Sequence, residues 1–284
     1  MMRAPDHLLW PSSLESHWQE GASGGIFLTQ TCGLPLVSTM SACLKAVAVP
    51  CYRVPGCHGS SYSSVIVVPS SSSLRSLDDV RLRHKDIVVA VNSADSLSGC
   101  LALKATISHP QCNAAFEAHS QYRSGGSESS TAPVTFFKRI NVTGSHAESL
   151  ACVADSRAHL ACIDCVTYAL LLQQQPDISR QIRIIARTPS APSLPYCTSI
   201  TTSDAACEAL FQALEAAAVD PALQDVRDAL KITGFRRYEC ARLEGCAHDV
   251  MLCPYKVAVS RLFLRARGSG SVSMSVSSRT TFVT

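Results

Sequence analysis

The sequence predicts an α/β fold on three observations. Apolar runs of strand length alternate with amphipathic stretches of helix length along most of the chain. Polar turns rich in Ser and Gly fall where strands hand over to helices. The composition, 46% hydrophobic and 17% charged over 284 residues, supplies a buried core and excludes a disordered chain.

Taken in order, the strand candidates are 26–30, 45–49, 64–68, 86–91, 134–140, 160–164, 182–186 and 196–200. Each is a short Val/Ile/Leu/Ala-rich run bounded by turn residues. Between them, Ala147, Leu150, Ala151 and Ala154 recur at i, i+3, i+4 and i+7, which gives a helix one closely packing face. A second helix spans 165–175 and stops at Pro176. A third covers 203–218, capped by Ser203 or Asp204. Asp220-Pro221 opens a fourth, for which Gly234 offers an end. The Ser-rich segment 69–76 reads as a linker, 122–133 as a mobile surface loop, and 268–284 as a disordered tail of low complexity.

Several function classes fall away. Formal net charge is +3 and only 256–267 has a local basic excess, too little for a nucleic-acid surface. No apolar run approaches the ~18 residues of a membrane span, so no membrane insertion is expected. Asp6 and His7 stand where a signal peptide would place its apolar core, which points to a cytosolic chain. Of the 14 cysteines, many sit inside apolar runs, where a reduced Cys acts as a small hydrophobe. Cys162-Ile163-Asp164-Cys165 is formally C-x-x-C, but no second such pair completes a zinc site. Neither metal nor cofactor is expected.

Two turns carry the candidate chemistry. After strand 86–91, Ser96-Leu97-Ser98-Gly99 begins a helix. After strand 134–140, Thr143-Gly144-Ser145-His146 begins another. The first N–H groups of a helix lack intrahelical acceptors and carry the positive end of its dipole. Ser hydroxyls add donors, and Gly99 allows close approach to the backbone. Such termini suit a phosphate, phosphonate or carboxylate. His146 adds an imidazole, and Asp164, ending the strand 160–164, suits a cationic or hydroxyl-bearing part of the same ligand. A purely local reading stands beside this one. Ser145-His146-Ala147-Glu148 fits the capping box S-x-x-E, Ser96 and Ser98 could likewise serve only as caps, and His146 could be an ordinary histidine.

These same residues carry a family resemblance. The run GSHAESLACVADSRAHLACID resembles the second lobe of the phosphate/phosphite/phosphonate-binding proteins of ABC transporters, the PhnD-like family. Further matches follow in order: Gln30-Thr31-Cys32-Gly33, Pro50-Cys51-Tyr52, Gly56-Cys57-His58-Gly59 with Tyr62, and Val91-Asn92 leading to Ser96-Leu97-Ser98-Gly99. Later come Arg187-Thr188-Pro189, Leu194-Pro195-Tyr196 and Gly234-Phe235. The resemblance implies a two-lobed, type 2 periplasmic-binding-protein fold with crossovers near 65–69 and 182–188. Lobe one would take 1–79 and 182–248, lobe two 80–181, and 249–284 would be a divergent tail. Lobe one is expected to be short at its N-terminal end, since only about 25 residues precede the Gln-Thr-Cys-Gly motif. By the same resemblance, Ser96, Ser98, Gly99, Thr143, Gly144, Ser145 and His146 surround a small anion and Asp164 meets its other end. Thr31, Tyr52 and Tyr62 would reach in from lobe one. An ABC permease is the implied partner. The competing expectations are an enzyme on the same fold, with His146 and Asp164 as acid and base and Cys32 or Cys165 as nucleophile, and a degenerate paralogue that binds nothing.

Overall fold

A computed structural model describes residues 27–37, 39–107 and 136–238, and the backbone of 241–242 and 251–252. Its strands are β1 (Thr29–Gln30), β2 (Leu44–Tyr52), β3 (Ser61–Tyr62), β4 (Ser64–Pro69), β5 (Val88–Val91) and β6 (Arg139–Val142). Then follow β7 (Leu160–Asp164), β8 (Ile182–Arg187), β9 (Ala191–Pro192), β10 (Tyr196–Ser199), β11 (Ile232–Arg237), β12 (Ala241–Arg242) and β13 (Met251–Leu252). The helices are α1 (Gly33–Val37), α2 (Leu77–Leu82), α3 (Ala102–Ile107), α4 (His146–Ala154), α5 (Cys165–Gln174), α6 (Ile178–Gln181), α7 (Asp204–Val219) and α8 (Gln224–Leu230).

Two sheets organise the chain. A five-stranded sheet has the order β6-β5-β7-β4-β8, and a four-stranded sheet has the order β1-β10-β2-β11. In the first, β5 runs parallel to β6 and β7, while β4 is antiparallel to both β7 and β8. Every residue of β4, β5 and β7 is buried, because both faces of the sheet are covered. The two-residue period sends Ile66 and Val68 to one face, where Leu103, Ile107, Phe136 and Phe137 pack. Val65 and Val67 go to the other, against Leu150 and Val153 of α4. The short pair β3–β9 accompanies the passage between the sheets.

In the second sheet, α7 lays Leu210 and Phe211 on Val47 and Ala48 of β2. Strand β2 continues past the predicted 45–49 through Pro50 to Tyr52. Pairing with β10 ends at Ala48, so Pro50 is bordered by β11 alone, an edge-like setting that tolerates a residue without an N–H. A third cluster joins the two sheets. Leu36, Met40 and Leu44 meet Leu97, Leu101, Cys165 and Val166, which fixes the floor between them.

Two of these expectations change. Segment 69–76 is no loose linker: Leu74 is buried in the core, Arg183 donates to Ser72 O at 2.8 Å, and Ser76 opens α2. There Asp79 N–H donates to Ser76 Oγ while the Asp79 carboxylate accepts from Ser76 N–H, a complete capping box. The helix opened by Asp220-Pro221 ends at Leu230 rather than near Gly234. Lys231 takes the left-handed conformation (φ +60°) as its C-cap, and Gly234 lies in β11. The segments 122–133 and 268–284, and the N-terminal residues through Ile26, lie outside the described residues. Among those described, no helix is long and apolar enough to cross a membrane.

Candidate ligand-binding site

A cleft of about 600 Å³ opens between the sheets. One side is furnished by Cys32, Pro35, Thr39, Met40 and Leu194, the other by Asn92, Ser96, Ser98, His146 and Asp164. The second set comes from the C-terminal ends of adjacent strands β5 and β7 and from the start of α4. Open α/β sheets collect ligands at such ends.

The helix after β5 starts abnormally. Leu97–Leu101 form a π-helical turn before α3, with Leu101 N–H donating to Ser96 O at 3.0 Å. A π turn widens the helix and commonly marks a functional position. Ser96 is its N-cap, accepting from Gly99 N–H at 3.0 Å, and its hydroxyl lies 3.5 Å from that of Ser98. Ser98 Oγ and His146 Nε2 share a hydrogen bond of 3.0 Å, and His146 Nε2 is 3.4 Å from Asp164 Oδ2. The other Asp164 oxygen accepts from Thr167 N–H at 2.8 Å, so the carboxylate caps α5 while facing the cleft.

Burial holds the His146 imidazole below its usual pKa, outweighing the attraction of Asp164. The ring is therefore neutral at pH 7. Its Nδ1 is buried without a hydrogen-bond partner among the described residues, as are Asn92 Oδ1 and Thr31 Oγ1. Buried polar atoms are ordinarily paired, so three orphans in and beside one cleft indicate a place for a polar guest.

Not all the expected residues converge. Ser96, Ser98, His146 and Asp164 line the cleft together. Ser145 does not: its hydroxyl accepts from Glu148 N–H at 3.0 Å, outside the cleft lining. Only half a capping box forms there, because the Glu148 carboxylate turns to Arg157 Nη1 at 2.9 Å. Thr143 Oγ1 donates to Val91 O at 3.1 Å and lies 2.6 Å from Ser149 Oγ, which ties down the turn. Gly144, at φ +86°, supplies the left-handed step that the turn requires. Gly99 serves packing: a Cβ there would fall 1.9 Å from Asn92 Oδ1 and 3.1 Å from His146 Cε1. Tyr62 is buried and lines a small cavity together with Ser98, whereas Tyr52 accepts from Gln30 Nε2 at 3.2 Å.

Neither Asn92 nor Cys32 was expected against the anion: Asn92 entered only within the Val91-Asn92 match, and Cys32 only as a nucleophile in the enzyme reading. Asn92 ends β5 next to Gly99, and a polar residue at a strand's C-terminal end was the available signal. The Cys32 sulfur accepts from Leu97 N–H at 3.4 Å, occupying a helix-terminal donor expected to be free.

The cleft sets Asn, Ser, His and Asp side chains on one wall against a largely apolar wall on the other. The family model of the periplasmic substrate-binding proteins of phosphonate ABC transporters matches residues 26–241, and the chain belongs to that family. A binding protein component of an ABC phosphonate transporter from Pseudomonas aeruginosa superposes with TM-score 0.66 at 17% identity, over 89% of this chain and 72% of that one. A Xanthomonas citri protein solved with ATP gives 0.59 at 17%, covering 90% and 86%. PhnD1 from Prochlorococcus marinus, in complex with methylphosphonate, gives 0.56 at 13%, covering 78% and 76%. These similarities establish the type 2 periplasmic-binding-protein fold. No curated protein sequence matches the chain. Family membership also overturns the cytosolic placement read from Asp6 and His7: the family is the periplasmic component of its importer. The family's compartment outweighs composition near Met1 as a guide.

Proposed function

We propose that the cleft captures a small phosphonate or phosphate anion, without chemistry, and that the loaded protein delivers it to an ABC permease. The anion lies against the Ser96 and Ser98 hydroxyls, Asn92 and His146, with Thr31 beside it and Asp164 at its far end. The observation that carries this reading is the pair of unpartnered atoms Asn92 Oδ1 and His146 Nδ1 on residues lining one cleft, with a third, Thr31 Oγ1, on the residue before the cleft-lining Cys32. The set mixes donors and acceptors, which suits an oxyanion still partly protonated near neutrality, as phosphoryl groups are. The Asp164 carboxylate can accept the remaining P–O–H proton. It would repel an anion that has none.

Thermal unfolding with methylphosphonate, phosphite, phosphate and sulfate tests the proposal. At a hundredfold excess over Kd, a binding anion stabilises by about 2.7 kcal/mol, seen as a saturable rise in Tm of several degrees. At least one phosphorus anion should give that rise and sulfate should not. Silence from all three phosphorus anions, or an equal response to sulfate, would overturn it.

A further inference from the structure

Cys57 and Cys165 are 108 residues apart in sequence, yet their sulfurs lie 3.4 Å from each other. Cys57 belongs to the loop between β2 and β3, and its N–H donates to Val54 O at 3.0 Å. Cys165 is the first residue of α5, directly after Asp164, and its N–H donates to Ser63 O at 3.0 Å. The loop is pinned from two sides. Arg187 Nη1 donates to Pro55 O at 3.1 Å, and Gly56, at φ +102°, leaves no room for a side chain. A Cβ at Gly56 would fall 2.5 Å from Arg187 Nη1 and 3.4 Å from Cys165 Cβ. Backbone contacts thus hold the two sulfurs face to face, within about 1.5 Å of the roughly 2.05 Å of a disulfide bond.

We propose that Cys57 and Cys165 form a disulfide under oxidising conditions, one that clamps the β2–β3 loop to the start of α5 beside Asp164. The family works in the periplasm, where disulfides form and persist. A small-molecule disulfide such as oxidised glutathione meets Cys57 first, since Cys57 is partly exposed and Cys165 is buried. Cys57 gives up its proton to a base in solution, attacks one sulfur of the oxidant and releases one thiol. The Cys165 thiolate then attacks the Cys57 sulfur, expels the second thiol and closes the S–S bond. Two protein thiols give up two electrons and two protons, and the oxidant leaves as two thiols. In the reduced pair the S–H of Cys57 donates to the Cys165 sulfur, which holds the Cys165 thiol below its usual range and the Cys57 thiol above it. Cys162, the other half of the formal C-x-x-C, is directed elsewhere and donates to Ser98 O at 3.1 Å.

The inference stands whichever ligand the cleft takes, and thiol mapping and anion titration can fail separately. The full chain is divided between dithiothreitol and oxidised glutathione, unfolded, alkylated and digested for peptide mass mapping. The oxidised sample should contain one linked peptide pair bearing Cys57 and Cys165, lighter than its two parts by two hydrogens. Its Tm should exceed that of the reduced sample by on the order of 10 °C, a difference abolished in Cys57→Ser. Because Cys57 is partly exposed, that variant decides the matter even where Cys165→Ser folds poorly. Alkylation of both residues after oxidation, or linkage of either to another cysteine, would overturn the proposal. A linked pair without a Tm change would keep the bond and discard the clamp.

Discussion

Ser98 is where the two turns of the five-stranded unit meet, through its 3.0 Å hydrogen bond to His146. A hydrogen bond to a charged ligand contributes about 1.5–3 kcal/mol, so Ser98→Ala should weaken methylphosphonate binding roughly 10- to 100-fold in calorimetric titration. Gly99→Ala should do at least as much by a different route, since its Cβ would collide with Asn92 Oδ1 at 1.9 Å. His146 gives a pH signature. Burial depresses its folded-state pKa, so as pH falls the unfolded chain takes up its proton first. The contribution is complete above about pH 6.5 and is lost progressively below it. Urea unfolding of the ligand-free protein should therefore show stability falling from pH 7 to 5, with a shallower slope in His146→Gln. Equal slopes would remove the buried neutral imidazole from the account.

At the scale of elements, Ser145 is a cap alone, whereas Ser96 and Asp164 cap their helices and also line the cleft. Ser145 only caps α4, so Ser145→Ala should cost about 1 kcal/mol of stability and leave anion affinity unchanged. An affinity loss as large as that of Ser98→Ala would return Ser145 to the site. The opening residues of α4 could not be sorted from sequence because a cap and an anion site use the same hydroxyls and N–H groups. Strand β7 was legible to the residue, since its apolar run ends abruptly at Asp164 and α5 follows at once. The register of β5 beside β6 and β7, which brings Asn92, His146 and Asp164 to one rim, was accessible only through the order of motifs. Helix α2 went unseen because Ser76 and Asp79 pair within a Ser-rich run that composition alone reads as linker. The π turn at Leu97–Leu101 has no sequence signature in this chain, and neither does the Cys32 contact with Leu97 N–H.

At the scale of the molecule, the apolar cluster from Leu36 and Met40 to Leu97 and Val166 couples the two sheets. Unfolding is accordingly expected as one cooperative transition, with calorimetric and van't Hoff enthalpies agreeing. Met40→Ala, at the cluster's edge, should lower Tm by several degrees through a loss of about 2–5 kcal/mol. The two-unit arrangement was legible from the succession of motifs, whereas the tightness of the floor between the sheets was not. Leu36 and Leu97 meet across 61 positions of chain, and no periodicity encodes that contact. The functional claim rests on this geometry, in which both units supply the walls of a single cleft.

Isothermal titration of the full chain with methylphosphonate and with sulfate, repeated on Ser98→Ala, addresses that claim most directly. The account predicts saturable one-to-one binding of methylphosphonate, no heat from sulfate, and binding weakened at least tenfold in the variant. Equal binding of both anions, or undiminished binding by Ser98→Ala, would contradict it.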